Sequence, residues 1–207
     1  MLEYLGVGAL RVLGQSISVL ECVAFVTGVM SVWLTLRLDI RTWPAGLISV
    51  CCYALVFFGA KLYADAILQL AFFITGLYGW WQWAHAGSVN WKHRPVLRAT
   101  ERELLSGAGV SALCIVAIAQ ALERFTDSPA PLADASVFVL SLFATVLQAL
   151  RRIEGWWVWI VVDLISIPLY WSRSLYLTAL LYCVFLVLCV GGWNSWRSKL
   201  HAAEVPA

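Results

Sequence analysis

Long apolar runs separated by short polar breaks fill most of this 207-residue chain. An α-helix rises about 1.5 Å per residue and a bilayer has a hydrocarbon core of about 30 Å, so each run suits one membrane crossing. The pattern predicts seven membrane-spanning helices, over residues 18–36, 43–58, 62–83, 104–122, 135–150, 156–171 and 175–193. We expect residues 1–17 to form an amphipathic lead-in at the membrane surface.

The sequence contains an internal repeat. Residues 43–83 align with residues 156–196 at a constant offset of 113 without a gap. Because large aromatic residues and a glycine rarely coincide by chance, a repeat at a fixed offset indicates duplication. The matched pairs are Trp43/Trp156, Leu62/Leu175, Tyr63/Tyr176, Ala66/Ala179, Phe72/Phe185, Gly79/Gly192, Trp80/Trp193 and Trp83/Trp196.

This repeat predicts the architecture. Each copy has three helices, so copies joined directly would be inverted in the membrane, and the fourth helix restores the orientation. We therefore predict an all-α integral membrane protein of the 3+1+3 type with parallel repeats. The single membrane domain, 1–207, comprises a first repeat at 18–83, a linker helix at 104–122 and a second repeat at 135–196. Parallel repeats form one known transporter design, in which binding occurs near the midplane between the halves.

Composition and charge agree with that picture. The chain is 62% hydrophobic and 13% charged, whereas a soluble domain is about 25% charged. Ten of the 14 basic side chains fall on one predicted side, which places the C-terminus in the cytoplasm and the N-terminus outside. The basic residues form no stripe, so we expect no nucleic-acid partner. Lipid surrounds the spans, and the sequence leaves self-association open.

Four polar or aromatic positions on the sixth helix are candidate binding residues. Trp156, Trp159, Asp163 and Ser166 are spaced to share one helix face. A carboxylate inside a span is costly and usually faces the bundle interior or a wet cavity. Two indoles beside a carboxylate suit a flat cationic ring, and the carboxylate either supplies the opposite charge or accepts hydrogen bonds from hydroxyl groups. For Trp156, near the helix end, an interfacial belt position explains the residue equally well.

Differences between the repeats add two further positions. Gln69 in the third helix aligns with Tyr182, and Val50 aligns with Asp163. Tyr53 likewise aligns with Ser166. Because an asymmetric ligand needs an asymmetric cavity, we take the mismatched mid-depth positions as the site and the matched positions as scaffold. For Gln69 alone, interhelical packing is an equal alternative.

The outer end of the third helix carries a candidate gate, formed by Lys61, Tyr63 and Asp65 with the repeat partner Tyr176. The spacing of Lys61 and Asp65 favours an ordinary surface ion pair over a gate. The sequence has no Walker A motif, no HExxH and no nucleophile elbow. We therefore expect no enzyme activity, no cofactor and no metal, and we read the six cysteines as buried apolar side chains.

Two motifs resemble those of the PnuC family of vitamin transporters. One is Lys61-Leu-Tyr-Ala-Asp65 with Gln69, Tyr78-Gly-Trp80 and Trp83, and the other is Trp156, Trp159, Asp163 and Ser166, followed by Gly192-Trp193 and Trp196. The resemblance covers residues 18–196. It implies a SWEET-like bundle in the bacterial inner membrane, with Gln69, Trp156, Trp159 and Asp163 lining the substrate site. The family often has an amide where this chain has Asp163.

The resemblance also implies a function, namely uptake of nicotinamide riboside by facilitated diffusion. A cytoplasmic kinase would then trap the product by phosphorylation. Thiamine or another vitamin is the alternative substrate within the family, since nicotinamide riboside and thiamine both carry a cationic ring. Two alternatives of another kind are a membrane subunit of a multi-component uptake complex and a proton-driven carrier.

Overall fold

Helices dominate the computed structural model of the chain, which describes residues 8–12, 15–59, 63–85, 95–173 and 176–204. The described ranges contain seven α-helices: α1 (Val19–Leu36), α2 (Thr42–Gly59), α3 (Tyr63–His85), α4 (Glu101–Phe125), α5 (Pro131–Ala149), α6 (Gly155–Ser172) and α7 (Tyr176–Glu204). Two short antiparallel strands, β1 (Gly8–Val12) and β2 (Gln15–Ser18), precede them in the segment that we expected at the membrane surface.

Six helices within the described ranges are long and apolar enough to cross a membrane. These spans are Val19–Leu36, Thr42–Gly59, Glu101–Phe125, Pro131–Ala149, Gly155–Ser172 and Thr178–His201. The helix α3 is not one of these six and carries Asp65, Gln69, Gln82 and His85. The all-helical, multi-span character predicted from the sequence is therefore confirmed.

Local sequence signals explain several helix ends. Ser18 and Glu21 form a capping box at the start of α1, and Thr100 and Glu103 form one at the start of α4. The capping box at Thr100 starts α4 three residues before the predicted boundary. At the other end of the chain, α7 continues past the predicted boundary at 193, because Trp196 and Leu200 still pack in the buried core.

The helix boundaries follow the same offset of 113 as the sequence repeat. Helices α2 and α6 begin at Thr42 and Gly155 and end at Gly59 and Ser172, while α3 and α7 begin at Tyr63 and Tyr176. The turns that precede α2 and α6 also correspond. Leu38 and the matched Arg151 both adopt left-handed backbone conformations, with φ of 60° and 56°. These are uncommon for residues other than glycine, so the same unusual turn occurs in both halves.

Six of the helices form a closed ring. Helix packing runs in the order α1–α2–α3–α5–α6–α7 and returns from α7 to α1. Each half contributes three consecutive helices, and the halves meet at the α3–α5 and α1–α7 interfaces. In this order α2 and α6 are the middle helices of their halves and lie opposite one another. Helix α4 packs against α5 and lies outside the ring.

Tryptophan–glycine contacts hold each half together near the start of α2 and of α6. The Trp43 ring packs directly on Gly79 and meets Trp83 edge to face, with ring centroids 5.5 Å apart. The Trp156 ring packs in the same way on Gly192 and meets Trp196 edge to face at 5.4 Å. A side chain on either glycine would overlap the indole, so glycine permits this close approach. All four tryptophans belong to one buried core cluster.

Candidate functional site

The helix α6 has a buried face and an exposed face, and the candidate residues lie on the buried one. Trp156, Asp163 and Ser166 are each 0% exposed. Trp157, Leu164 and Trp171 lie on the opposite side and are 51%, 56% and 63% exposed. Because residues three, four and seven apart share a helix face, the spacing alone accounts for this division. The exposed face of α6 is thus apolar and suited to lipid, and the polar side chains of Asp163 and Ser166 are on the buried face.

The carboxylate of Asp163 is fully buried, and the thiol of Cys189 lies beside it. Neither Oδ1 nor Oδ2 has a partner of good geometry in the part of the chain that the structure describes, and the same holds for Ser166 Oγ. The Cys189 thiol and the Tyr182 phenol are close enough to interact electrostatically with the carboxylate. Buried polar groups in native proteins nearly always have partners, so this cluster is suited to a ligand or to water.

No ion pair in the described ranges involves Asp163. Helices α1, α2, α3, α5 and α6 contain neither Lys nor Arg, and in α7 these residues come only after the core tryptophans. The ion pairs in the described ranges join helix ends instead, such as Arg173 with Asp134 at 2.8 Å and Arg152 with Glu103 at 2.7 Å. An unpaired buried carboxylate is strongly unfavourable, so the site is prepared for a cationic group or a proton.

Aromatic rings line the cluster on the α7 side. Tyr182 is half-buried and stacks on Tyr170, with ring centroids 5.2 Å apart and planes 15° apart. Its other side meets Phe185 edge to face at 5.9 Å. Trp159 is also half-buried and packs against the core cluster. The carboxylate therefore lies near the stacked phenol rings of Tyr170 and Tyr182, and Trp159 is on the same helix four residues before it.

The structure gives Trp156 a clear packing environment. Its ring is enclosed by Gly192 and Trp196 in the way that Trp43 is enclosed by Gly79 and Trp83. The indole nitrogens of Trp43 and Trp156 are both buried without a partner in the described ranges. An interfacial belt position, which the sequence allowed for Trp156, does not agree with its complete burial. Trp43 and Trp156 therefore occupy equivalent packing positions in the two repeats.

The remaining predicted residues lie in α3, at the start of α7 or outside the described parts. Gln69 is half-buried in α3, in the other half of the ring. Lys61 lies outside the described residues, and Tyr63 and Asp65 lie in α3 with side chains that are not among the described ones. Tyr176 is 44% exposed and meets Trp171 edge to face at 5.0 Å.

Sequence reasoning missed two residues near Asp163. Tyr170 stacks on Tyr182, and the thiol of the buried Cys189 interacts with the carboxylate. Tyr170 is seven residues beyond Asp163, so the face that carries Trp156, Asp163 and Ser166 predicts its direction. Cys189 gave no such signal, because its position depends on how α7 packs against α6.

Apolar helices in a closed ring and a buried carboxylate on one of them agree with the class of multi-pass membrane transporters of small molecules. The family model described as nicotinamide mononucleotide transporter matches residues 18–198. The chain belongs to this family, which confirms the resemblance to PnuC proteins.

Several relatives support the assignment. The chain is 26% identical to the nicotinamide riboside transporter PnuC of Escherichia coli, over 88% of this chain and 87% of that protein. It is 29% identical to the PnuC of Neisseria mucosa, over 99% and 82% of the two chains. It is 28% identical to the riboflavin/roseoflavin transporter RibM of Streptomyces davaonensis, over 89% and 88%. A crystal structure of the vitamin B3 transporter PnuC matches with a TM-score of 0.71 and 29% identity, over 88% and 82%.

Proposed function

We propose that the protein takes up nicotinamide riboside across the bacterial inner membrane. The observation that carries the proposal is the buried Asp163 carboxylate, which has no cationic partner in the described ranges and lies near Tyr182, whose ring stacks on Tyr170. Nicotinamide riboside has a flat, positively charged ring joined to a sugar. Binding this ring supplies the charge that the carboxylate lacks, and the rings provide stacking and cation–π contacts.

Each candidate residue has a role in this proposal. Trp159 stacks against the pyridinium ring, and Trp156 supports that position from the buried start of α6. Asp163 provides the opposite charge, and Ser166 and Tyr182 bound the site on the α6 and α7 sides. Gln69 reaches the carboxamide or the ribose from the first repeat. The gate formed by Lys61, Tyr63, Asp65 and Tyr176 remains part of the proposal for the outer mouth.

The transport mechanism follows from the repeat. The closed ring of two three-helix halves and the matching helix boundaries support a SWEET-like 3+1+3 bundle with parallel repeats. In this bundle α3 also crosses the membrane and brings the number of spans to seven. We infer that the halves rock about the bound ligand. Uptake is then facilitated diffusion, with the C-terminus in the cytoplasm, where a kinase traps the product. Uptake in cells that persists after addition of an uncoupler supports this mechanism, whereas collapse identifies a proton-driven carrier.

The substrate should lack a phosphate group. The seven helices contain only four Lys or Arg residues, and all four lie near helix ends. They are Arg102 and Arg124 in α4 and Arg197 and Lys199 in α7. A phosphate close to Asp163 would be repelled by its charge and would find no cation. We therefore expect the riboside to be transported and the mononucleotide to be rejected, although the family model is described by the mononucleotide. Measured uptake of the mononucleotide would contradict this expectation.

Thiamine is the second candidate within the family, because its thiazolium ring is also cationic. Riboflavin, after which the RibM relative is named, has a neutral ring and gains nothing from Asp163. Calorimetry of the purified protein with the three vitamins separates these substrates. We expect the tightest binding for nicotinamide riboside, weaker binding for thiamine and the weakest for riboflavin. Tightest binding of riboflavin would contradict a charge-selective site.

A membrane subunit of a larger uptake complex is the alternative of another kind. Such a subunit would transport none of the three vitamins when reconstituted alone.

A further inference from the structure

A group of hydroxyl-bearing side chains lies beyond Asp163 along α6. Ser166 and Tyr170 follow Asp163 by three and seven residues, and Tyr182 of α7 stacks on Tyr170. We propose that Ser166, Tyr170 and Tyr182, together with Tyr53 of α2, form a subsite that binds the sugar hydroxyls of the substrate. We call these four residues the hydroxyl cluster. This inference rests on the proposed function and specifies the part of the substrate that the site recognises.

The positions along α6 separate ring recognition from sugar recognition. Trp159 precedes Asp163 by four residues, whereas Ser166 follows it by three. Between Trp159 and Ser166 the helix rises about 10 Å, comparable with the length of a nucleoside. A ligand whose ring lies near Trp159, with its charge beside Asp163, therefore extends its sugar toward Ser166 and Tyr170.

The repeat places Tyr53 on the opposite side of the same space. Tyr53 occupies in α2 the position that Ser166 occupies in α6, since the two residues are 113 apart. Helices α2 and α6 lie opposite one another in the ring, so matched positions on them face a common centre. Tyr53 is half-buried, stacks on Phe57 with ring centroids 5.8 Å apart, and has Glu21 and Tyr170 in its neighbourhood.

The chemistry of the cluster fits a polyol. Phenol and serine hydroxyls both donate and accept hydrogen bonds, as ribose hydroxyls do. Ser166 Oγ is buried and has no hydrogen-bond partner of good geometry in the described ranges, although the Tyr182 phenol lies close to it. A sugar hydroxyl between these two groups would give Ser166 a well-oriented partner. An apolar ligand group would leave the Ser166 oxygen unpaired. Because an unpaired buried oxygen costs free energy, such a site binds analogues that lack the hydroxyl more weakly.

The test compares nicotinamide riboside with its 2′,3′-dideoxy analogue by calorimetry on the purified full-length protein. The wild type should bind the riboside at least about ten-fold more tightly, because each lost hydrogen bond typically costs a three- to ten-fold change in affinity. In Tyr170→Phe and Tyr53→Phe the preference for the riboside should shrink by about three- to ten-fold each. Ser166→Ala should shrink it similarly. Affinity for the dideoxy analogue should change little in all three variants.

Two controls make the result specific. Tyr78→Phe alters a tyrosine outside the cluster, which packs on Trp81 with ring centroids 6.4 Å apart, and should leave the preference unchanged. Thermal melting of each variant checks that it is folded. An unchanged preference in all three cluster variants, with the riboside still bound, would overturn the subsite alone. Equal weakening of both ligands would also overturn it, because that result indicates packing. Failure of the wild type to bind the riboside would overturn the proposed function and the subsite with it.

Discussion

The indole Nε1 of Trp196 donates a hydrogen bond to the backbone carbonyl of Thr35 at 3.1 Å, which links α7 to α1. The matched Trp83 donates to the carbonyl of Ala149 at 3.0 Å, which links α3 to α5. Each bond therefore joins one half of the ring to the other. The two acceptors lie at the ends of α1 and α5, just before the corresponding left-handed turns. Both interfaces between the halves thus contain a hydrogen bond from a matched tryptophan to a backbone carbonyl near the end of the neighbouring helix.

Removing these donors should weaken the association of the halves. Trp196→Phe and Trp83→Phe each lose a hydrogen bond worth about 1 kcal/mol. For a protein of this size, that loss corresponds to a fall in melting temperature of about 2–4 °C. Thermal melting of the detergent-purified variants measures it. Trp81→Phe, at a position 55% exposed, serves as the matched control and should melt like the wild type. An unchanged melting temperature in Trp83→Phe and Trp196→Phe would contradict the importance of the two bonds.

The tryptophan–glycine contacts make a second prediction. In Gly192→Ala the new Cβ would lie 2.5 Å from Trp156 Cη2, so the indole must move. Such overpacking typically costs about 1–3 kcal/mol. Gly109→Ala is the matched control, because nothing lies within 4 Å of its Cβ position and alanine favours helix by about 1 kcal/mol. We expect the melting temperature to fall in Gly192→Ala and to stay equal or rise in Gly109→Ala. The reverse order would exclude the close contact.

Asp163→Asn separates binding from stability. The substitution keeps the shape of the side chain and removes its charge, so the affinity for nicotinamide riboside should fall at least about ten-fold, or about 1.4 kcal/mol. The empty protein should be equally or more stable, because an unpaired buried carboxylate is costly. Calorimetry and thermal melting measure the two effects. Asp134→Asn, which alters an ion pair with Arg173 at the helix ends, should leave affinity unchanged. Unaltered affinity in Asp163→Asn would remove the residue from the site.

The predicted topology is open to a direct test. Seven spans place the termini on opposite sides, and the distribution of basic residues places the C-terminus in the cytoplasm. A fluorescent protein fused to the C-terminus should fluoresce in cells, since it folds in the cytoplasm. An alkaline phosphatase fusion at the same point should be inactive. The opposite pair of results would contradict the predicted cytoplasmic C-terminus.

The helix pattern was predictable from sequence because lipid imposes long apolar runs. The second helix was predicted at 43–58 and is found at Thr42–Gly59. The seventh was predicted to end at 193 and continues to Glu204. Its last turns contain polar residues, and hydropathy gives no sign that Trp196 and Leu200 remain packed against the core.

The arrangement of the helices was less predictable. In lipid the outer faces of a helix are as apolar as its packed faces, so hydropathy does not identify its neighbours. The repeat compensated in part, since it matched Gly79 with Gly192 and Trp83 with Trp196 before their contacts were known. Polar residues on an apolar helix gave the strongest signal, and Asp163 and Ser166 are indeed fully buried. The positions of Tyr170 and Cys189 beside them depend on the packing of α6 against α7.

A structure of the protein with nicotinamide riboside bound would test the binding site most directly. We expect the pyridinium ring to lie against Trp159 with its charge beside the Asp163 carboxylate, and the ribose to extend toward Ser166 and Tyr170. A ligand bound elsewhere in the ring of helices, with Asp163 still buried and unpaired, would contradict the proposed site.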